Sequence, residues 1–212
     1  MNLKLNKNQI ERFSRQIILK NIGALGQKKI IQSKVLVIGM GGLGCPVAEF
    51  LTRAGVGHLG IVDSDNVDLS NIHRQSLYDV NDLKKSKVLA AQKKLKRINS
   101  KTKVICYKIR LDKNNYSKII KKYDYIVDGS DNFHTKFLIN DFCKKSKKFL
   151  VVGAISRFEG HIFTFDFKNP KTPCVRSFFQ EKKIVDTLTI LPSVSGPTGT
   201  FIASPVSLTL SP

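Results

Sequence analysis

VLVIGMGGLGCP, residues 35–46, runs from a short alternation of β-branched and leucine residues straight into a glycine-rich turn. The spacing Gly39-x-Gly41-x-x-Gly44 is that of a Rossmann fingerprint, whose glycines allow a tight turn, close approach of backbone to phosphate, and close packing of helix on strand. This predicts a strand over 34–39 and a helix over 42–54 whose first N–H groups face an anion. A second short apolar run, HLGIVD, predicts a strand over 58–63 that ends in Asp63, placed to accept hydrogen bonds from a ribose. NAD and ATP both carry that ribose. The turn therefore leaves a dinucleotide and a triphosphate equally open.

Outward from this turn, the pattern alternates. Helices are expected over 86–98, 114–121 and 132–146, and strands over 102–108, 124–128 and 148–153, as in right-handed βαβ units around a parallel sheet. EGHIFTFDF (159–167) has period-two alternation and adds an antiparallel strand. The fold class is thus α/β: a Rossmann-like, doubly wound, mostly parallel sheet with N-terminal helices and antiparallel C-terminal strands. Apolar residues Ile10, Phe13, Ile17 and Ile18 predict an amphipathic helix over 7–20, followed by a second over 24–32. Between residues 64 and 86 lies a polar stretch too long for a tight connection, of the kind that is functional or disordered.

The 212 residues suit one α/β domain with an appendage: a nucleotide-binding domain over 1–170 and a short tail over 171–212. The start of the chain is polar, and no apolar run reaches the roughly 20 residues that cross a bilayer. A soluble, cytoplasmic protein without membrane contact is expected. The four cysteines form no C-x-x-C pair, so reduced and mostly buried thiols are expected. A net charge of +20 invites a nucleic-acid reading, but the lysines fall as scattered pairs and no aromatic platform accompanies them. A solvated surface that steers an acidic protein partner fits better.

A triphosphate needs more positive charge than a pyrophosphate does, and a carboxylate for its magnesium. SNIHRQ places Arg74 just beyond the second strand, and Lys87 opens the next helix. YIVDGSDNF ends the fourth strand in Asp128 and Asp131 on the same edge. Singly, Arg74 reads as a surface cation, Lys87 as one lysine of many, and Asp131 as a helix N-cap. Together they set two cations and a carboxylate around one glycine turn, which hydride transfer does not require. His58, His73, His134 and His161 read as ordinary polar positions, and no Ser/His/Asp order or G-x-S-x-G elbow is present.

RFSRQIIL, GMGGLGCPVAEFLTRAGVGHLGIVDSDNVDLSNIHRQ, KVLAA and VDGSDNFHTKFLIND resemble the MoeB/ThiF/HesA adenylyltransferases, relatives of the ubiquitin-activating enzymes, over residues 11 to about 166. The resemblance implies ATP with Mg2+, phosphate contacts at Gly39, Gly41, Gly42 and Gly44, and ribose contact at Asp63. It further implies Ser70, Asn71, Arg74 and Lys87 along the triphosphate, and Asp131 with Asn132 at the magnesium. Arg15 matches an arginine that the family donates across a homodimer interface. The implied partner is a ubiquitin-like sulfur-carrier protein of molybdopterin or thiamine biosynthesis, whose C-terminal glycine carboxylate attacks the α-phosphorus and releases pyrophosphate. The departures lie near the end, where PCVRS keeps Cys174 but has Ser177 in the place of a zinc-ligating cysteine, with none after it. No zinc site of the family kind is expected. The tail also lacks a cysteine for thioester or persulfide chemistry and ends earlier than family members usually do, as in a short form that only adenylates or in a truncated, inactive copy. Alternatives are activation of another carboxylate, as in the tRNA-linked dehydratases, or a truncated, inactive nucleotide- or carrier-binding copy; an NAD-dependent dehydrogenase fits least.

Overall fold

The computed structural model describes residues 4–156, 158–179, 198–200 and 202–203. Six strands form one sheet: β1 (Lys34–Ile38), β2 (His58–Val62), β3 (Lys103–Tyr107), β4 (Tyr125–Asp128), β5 (Phe149–Ser156) and β6 (Glu159–Asp166). Their order is β3-β2-β1-β4-β5-β6; the first five run parallel and β6 is antiparallel to β5. The chain winds outward from β1 through β2 to β3, then crosses back to set β4 on the other side of β1. The carboxyl ends of β1 and β4 therefore flank the topological switch point, where open α/β sheets bind ligands.

The helices between the strands are α4 (Gly44–Ala54), α5 (Leu69–Ile72), α6 (Lys87–Ile98), α7 (Tyr116–Ile120) and α8 (Phe133–Lys145); α9 (Val175–Phe178) follows β6, and α1 (Lys7–Arg12), α2 (Ser14–Ile17) and α3 (Gly23–Gln32) precede β1. Successive side chains of a strand point to opposite faces. Val35, Val37, Leu59, Ile61, Val127 and Val151 accordingly join one core with Leu51 of α4 and Leu95 of α6. Leu36, Ile38, Val62, Ile126, Leu150 and Val152 join the other with Ile120 of α7 and Phe137 and Ile139 of α8. Both faces of the sheet are covered, which is why its central strands read as unbroken apolar runs.

Three boundaries depart from expectation. The helix over 7–20 is broken at Phe13, which has left the helical region (φ −105°, ψ 14°) and caps α1. Phe13 is buried, and its ring fills the space that a Cβ at Gly55 would need, 2.5 Å from the nearest ring atom. This contact from 42 positions away outweighs local periodicity. β5 runs to Ser156 rather than 153 because its last residues pair with the start of β6, Ile155 opposite Gly160. The stretch over 64–86 is ordered: it holds α5, a 3-10 turn at Val80–Asp82, and a bridge from Asn66 to Ser86. Most of the tail expected over 171–212 (residues 180–197, 201 and 204–212) lies outside the described residues, but Ile202 is fully buried against Gly153. Among the described residues no helix is long and apolar enough to cross a membrane.

Candidate active site

A cleft of about 870 Å3 opens over the switch point, lined by the glycine turn, the loop after β2, the N-terminus of α6, the turn after β4, and the ends of β5 and β6. Gly39 has φ +85°, and a Cβ there would lie 2.8 Å from the carbonyl oxygen of Gly129, so the turns after β1 and β4 touch. A Cβ at Gly44 would lie 1.7 Å from the Gly39 oxygen. These two glycines are required by the fold itself. Gly41 is different: a Cβ there would meet only Gln75 Nε2, at 3.7 Å, so its missing side chain leaves room on the cleft side. In the first turn of α4 the Cys45 N–H donates to the Gly41 carbonyl at 3.0 Å, the Val47 N–H to the Leu43 carbonyl at 3.3 Å, and Pro46 has no N–H, so Gly41 and Gly42 of the turn itself, not the helix end, face the cleft.

Asp63 anchors the turn. Its Oδ2 accepts the Met40 N–H at 2.8 Å, and its Oδ1 accepts the Asp65 N–H at 2.8 Å. Arg74 is held by the Ser70 carbonyl (Nη1, 3.1 Å) and by Asn71 Oδ1 (Nη2, 2.9 Å), while its buried Nε has no partner among the described residues. Gln75 donates to the same Asn71 oxygen at 3.1 Å, and its own buried Oε1 is likewise unpaired among the described residues. Unpaired buried donors and acceptors cost free energy unless a ligand or water completes them. On α6, the buried Lys87 donates from Nζ to Asp65 Oδ2 at 2.9 Å. That bond holds the Asp65 carboxyl below the usual range, against an opposing effect of partial burial.

The turn after β4 carries Asp131 into the cleft, exposed, with Asn132 Nδ2 at 3.4 Å from its Oδ1. Asp131 is not the helix cap. Asn132 is: its Oδ1 accepts the Thr135 N–H at 2.9 Å. Asp131 is therefore free to meet a divalent cation, as a hard oxygen ligand suited to magnesium.

Of the residues expected at the site, Gly39, Gly41, Gly42, Asp63, Asn71, Arg74, Lys87, Asp131 and Asn132 line this cleft. Gly44 stands behind it as a packing glycine. Ser70 is not in the lining: its N–H and hydroxyl both donate to Asp68 Oδ1, at 2.9 and 2.7 Å, and only its carbonyl serves, through Arg74. Arg15 is exposed on α2, away from the cleft lining. The structure adds Asp65, Gln75, Arg110 and Lys136, as well as His161, which lines the rim beside Glu159 at 3.5 Å. Gln75 was within reach of the sequence, one position past Arg74. Arg110 and Lys136 carried no signal among so many basic residues.

The thiols offer no nucleophile at this cleft. Burial pushes Cys45 up to about 12 and raises Cys143 as well. At Cys174 burial is outweighed by hydrogen bonding from Ser177 and the Arg176 backbone and by nearby Lys144, so its thiol lies below the usual value. Ser177, in the zinc-ligand position, accepts the Cys174 N–H through Oγ at 3.2 Å.

The model of the ThiF family matches residues 13–210. The chain is 42% identical over 186 residues to "Adenylyltransferase and sulfurtransferase MOCS3" of Culex quinquefasciatus, covering 88% of this chain and 42% of that protein. It is 41% identical over 180 residues to "Sulfur carrier protein adenylyltransferase" of Thermus thermophilus, covering 84% and 66%. The chain thus spans less than half the length of the first relative and about two thirds of the second. Among solved structures, PaaA superposes with a TM-score of 0.83 at 24% identity, over 98% of this chain and 67% of that one. E. coli MccB with ATP superposes at 0.81 and 22%, over 94% and 63%. The sheet order, the fingerprint turn and a family match over nearly the whole sequence agree: the chain belongs to the ThiF family.

Proposed function

We propose that this chain is an adenylyltransferase that uses ATP and Mg2+ to activate the C-terminal glycine carboxylate of a ubiquitin-like sulfur-carrier protein. The observation that carries this reading is one cleft in which Arg74, its buried Nε without a partner among the described residues, the buried ammonium of Lys87 and the exposed carboxylate of Asp131 surround the glycine turn. The names of the relatives supply the substrate class.

Asp63 would hold the ribose, and the N–H groups around Gly41 and Gly42 the phosphates. Arg74 and Lys87 offset the charge of the departing pyrophosphate. Asp131 would hold the magnesium ion, which, when bound, offsets phosphate charge and orients the reacting phosphoryl group. A C-terminal carboxyl has a pKa of about 3.5 and is already ionised near neutrality, so no residue of the cleft has to remove a proton. Positioning and charge neutralisation carry the reaction.

Arg15 belongs to this reading as a residue donated to the site of a second copy. Around it Ile18, Leu19 and Leu25 are 70%, 52% and 66% exposed, an apolar surface of the kind that a homodimer covers. The test is exchange of radiolabelled pyrophosphate into ATP, with and without candidate carriers. Carrier-dependent exchange is the expected result. Tight ATP binding with no exchange under any carrier would replace this reading with a non-catalytic nucleotide-binding role.

A further inference from the structure

Beneath the turn that carries Asp131 lies a pair of charges that the proposed reaction does not use. Lys136 is 2% exposed and Asp128 is 0% exposed, at 3.7 Å from Nζ to Oδ1. Lys136 Nζ also donates to the carbonyl of Gly153 in β5 at 2.7 Å. Asp128 Oδ1 accepts both the N–H of Ser130 (2.9 Å) and its hydroxyl (2.6 Å), while Oδ2 is buried without a partner among the described residues. Each ion is expensive to bury. A hydrophobic pair would serve packing alone at least as well.

The contacts are directional. Asp128 closes the turn Gly129–Ser130–Asp131 by its two bonds to Ser130, and Lys136, one turn into α8, fastens that carboxylate to β5. The ends of β4, α8 and β5 are thereby tied at one point, just below the carboxylate that faces the cleft. Burial lowers the Lys136 pKa, and the charges of Asp128 and Asp131 oppose that shift without cancelling it. We propose that Asp128 and Lys136 are positioning residues that set Asp131 for its divalent cation. This rests on the reading of Asp131 as the magnesium carboxylate.

The test compares Asp128→Asn, Lys136→Met and the double variant with wild type, by melting temperature and by titrating Mg2+ into protein with a fluorescent, non-hydrolysable ATP analogue. Each single variant leaves a buried charge alone and should melt lower; the double variant removes both charges and should recover much of the loss. The Mg2+ concentration for half-maximal analogue binding should nevertheless rise about tenfold in all three, as when residues behind a metal ligand are removed. If the double variant regains the wild-type Mg2+ dependence along with its stability, the pair is only a charge-balanced packing element and the proposal fails. A single variant that does not fold leaves the double variant to decide. Wild-type binding that ignores Mg2+, or is unmoved by Asp131→Ala, overturns both this inference and the reading beneath it; a normal response to Asp131→Ala with unaffected pair variants overturns this inference alone.

Discussion

Lys87 and Lys136 both meet a carboxylate at the cleft, on opposite sides of β1, yet the two pairs are built for different ends. Lys87 is buried, but its partner Asp65 is 63% exposed in its side chain, and the two make one direct bond of 2.9 Å. Lys136 and Asp128 are both sealed from water, stand 3.7 Å apart, and spend their hydrogen bonds on backbone and on Ser130. A solvated carboxylate can give up its lysine to an incoming phosphate at small cost, because water takes the lysine's place. A buried one cannot. The first pair is a lysine held in readiness; the second is a fixture.

That contrast predicts a crossing of effects. Lys87→Met should lower pyrophosphate exchange by about a hundredfold to a thousandfold, as for loss of one donor aimed at developing charge. Its melting temperature should change little. Lys136→Met should cost on the order of 3–5 kcal/mol of stability, since it strands a buried carboxylate. Denaturant titration beside an exchange assay reads both. A Lys87 variant that unfolds and a Lys136 variant that stays stable would reverse the assignment of the two pairs.

The same logic separates neighbours in the turn after β4. Asp131→Ala should abolish measurable exchange, a loss of several kcal/mol in the transition state, with the melting temperature kept. Asn132→Ala removes the cap bond to Thr135 and should cost about 1 kcal/mol, or roughly 2–4 °C. Arg15 falls outside both pairs. If it serves a partner's cleft, mixing inactive Arg15→Ala with inactive Lys87→Ala subunits should restore up to about a quarter of the wild-type rate, since half of the randomly formed dimers then hold one complete site. No recovery after proven subunit exchange would place Arg15 in its own chain's chemistry or in none.

These neighbours also show where sequence reading stops. The strands β1, β2 and β4 were legible because both faces of each are buried, leaving short runs such as VLVI and YIV between polar ends. The cleft was legible because its glycines and charges follow strand ends in a fixed order. Whether Asp131 or Asn132 caps α8 was not, since either residue type can cap and only backbone geometry decides. That Ser70 stands outside the cleft lining was illegible for a related reason: Asp68, two positions earlier, captures its hydroxyl. The break at Phe13 and the burial of Lys136 depend on residues far along the chain, Gly55 and Gly153, and leave no local trace.

The smallest expected effect tests the solvated pair by pH. Lys87 holds the Asp65 carboxyl below its ordinary value, chiefly through the hydrogen bond. A carboxyl depressed in the folded state stabilises the protein above its unfolded pKa of about 3.9 and loses that contribution as pH falls through the folded pKa. The window therefore opens near pH 4 and extends below it. Because Asp65 is well exposed, the contribution should be at most about 1 kcal/mol, and smaller at high salt. Asp65→Asn should accordingly lose a little stability at pH 7 and match wild type below the window. A difference between the two proteins that persists unchanged to pH 2, or that grows in high salt, would show that Asp65 acts through packing rather than charge, and that Lys87 is not waiting on an exchangeable partner.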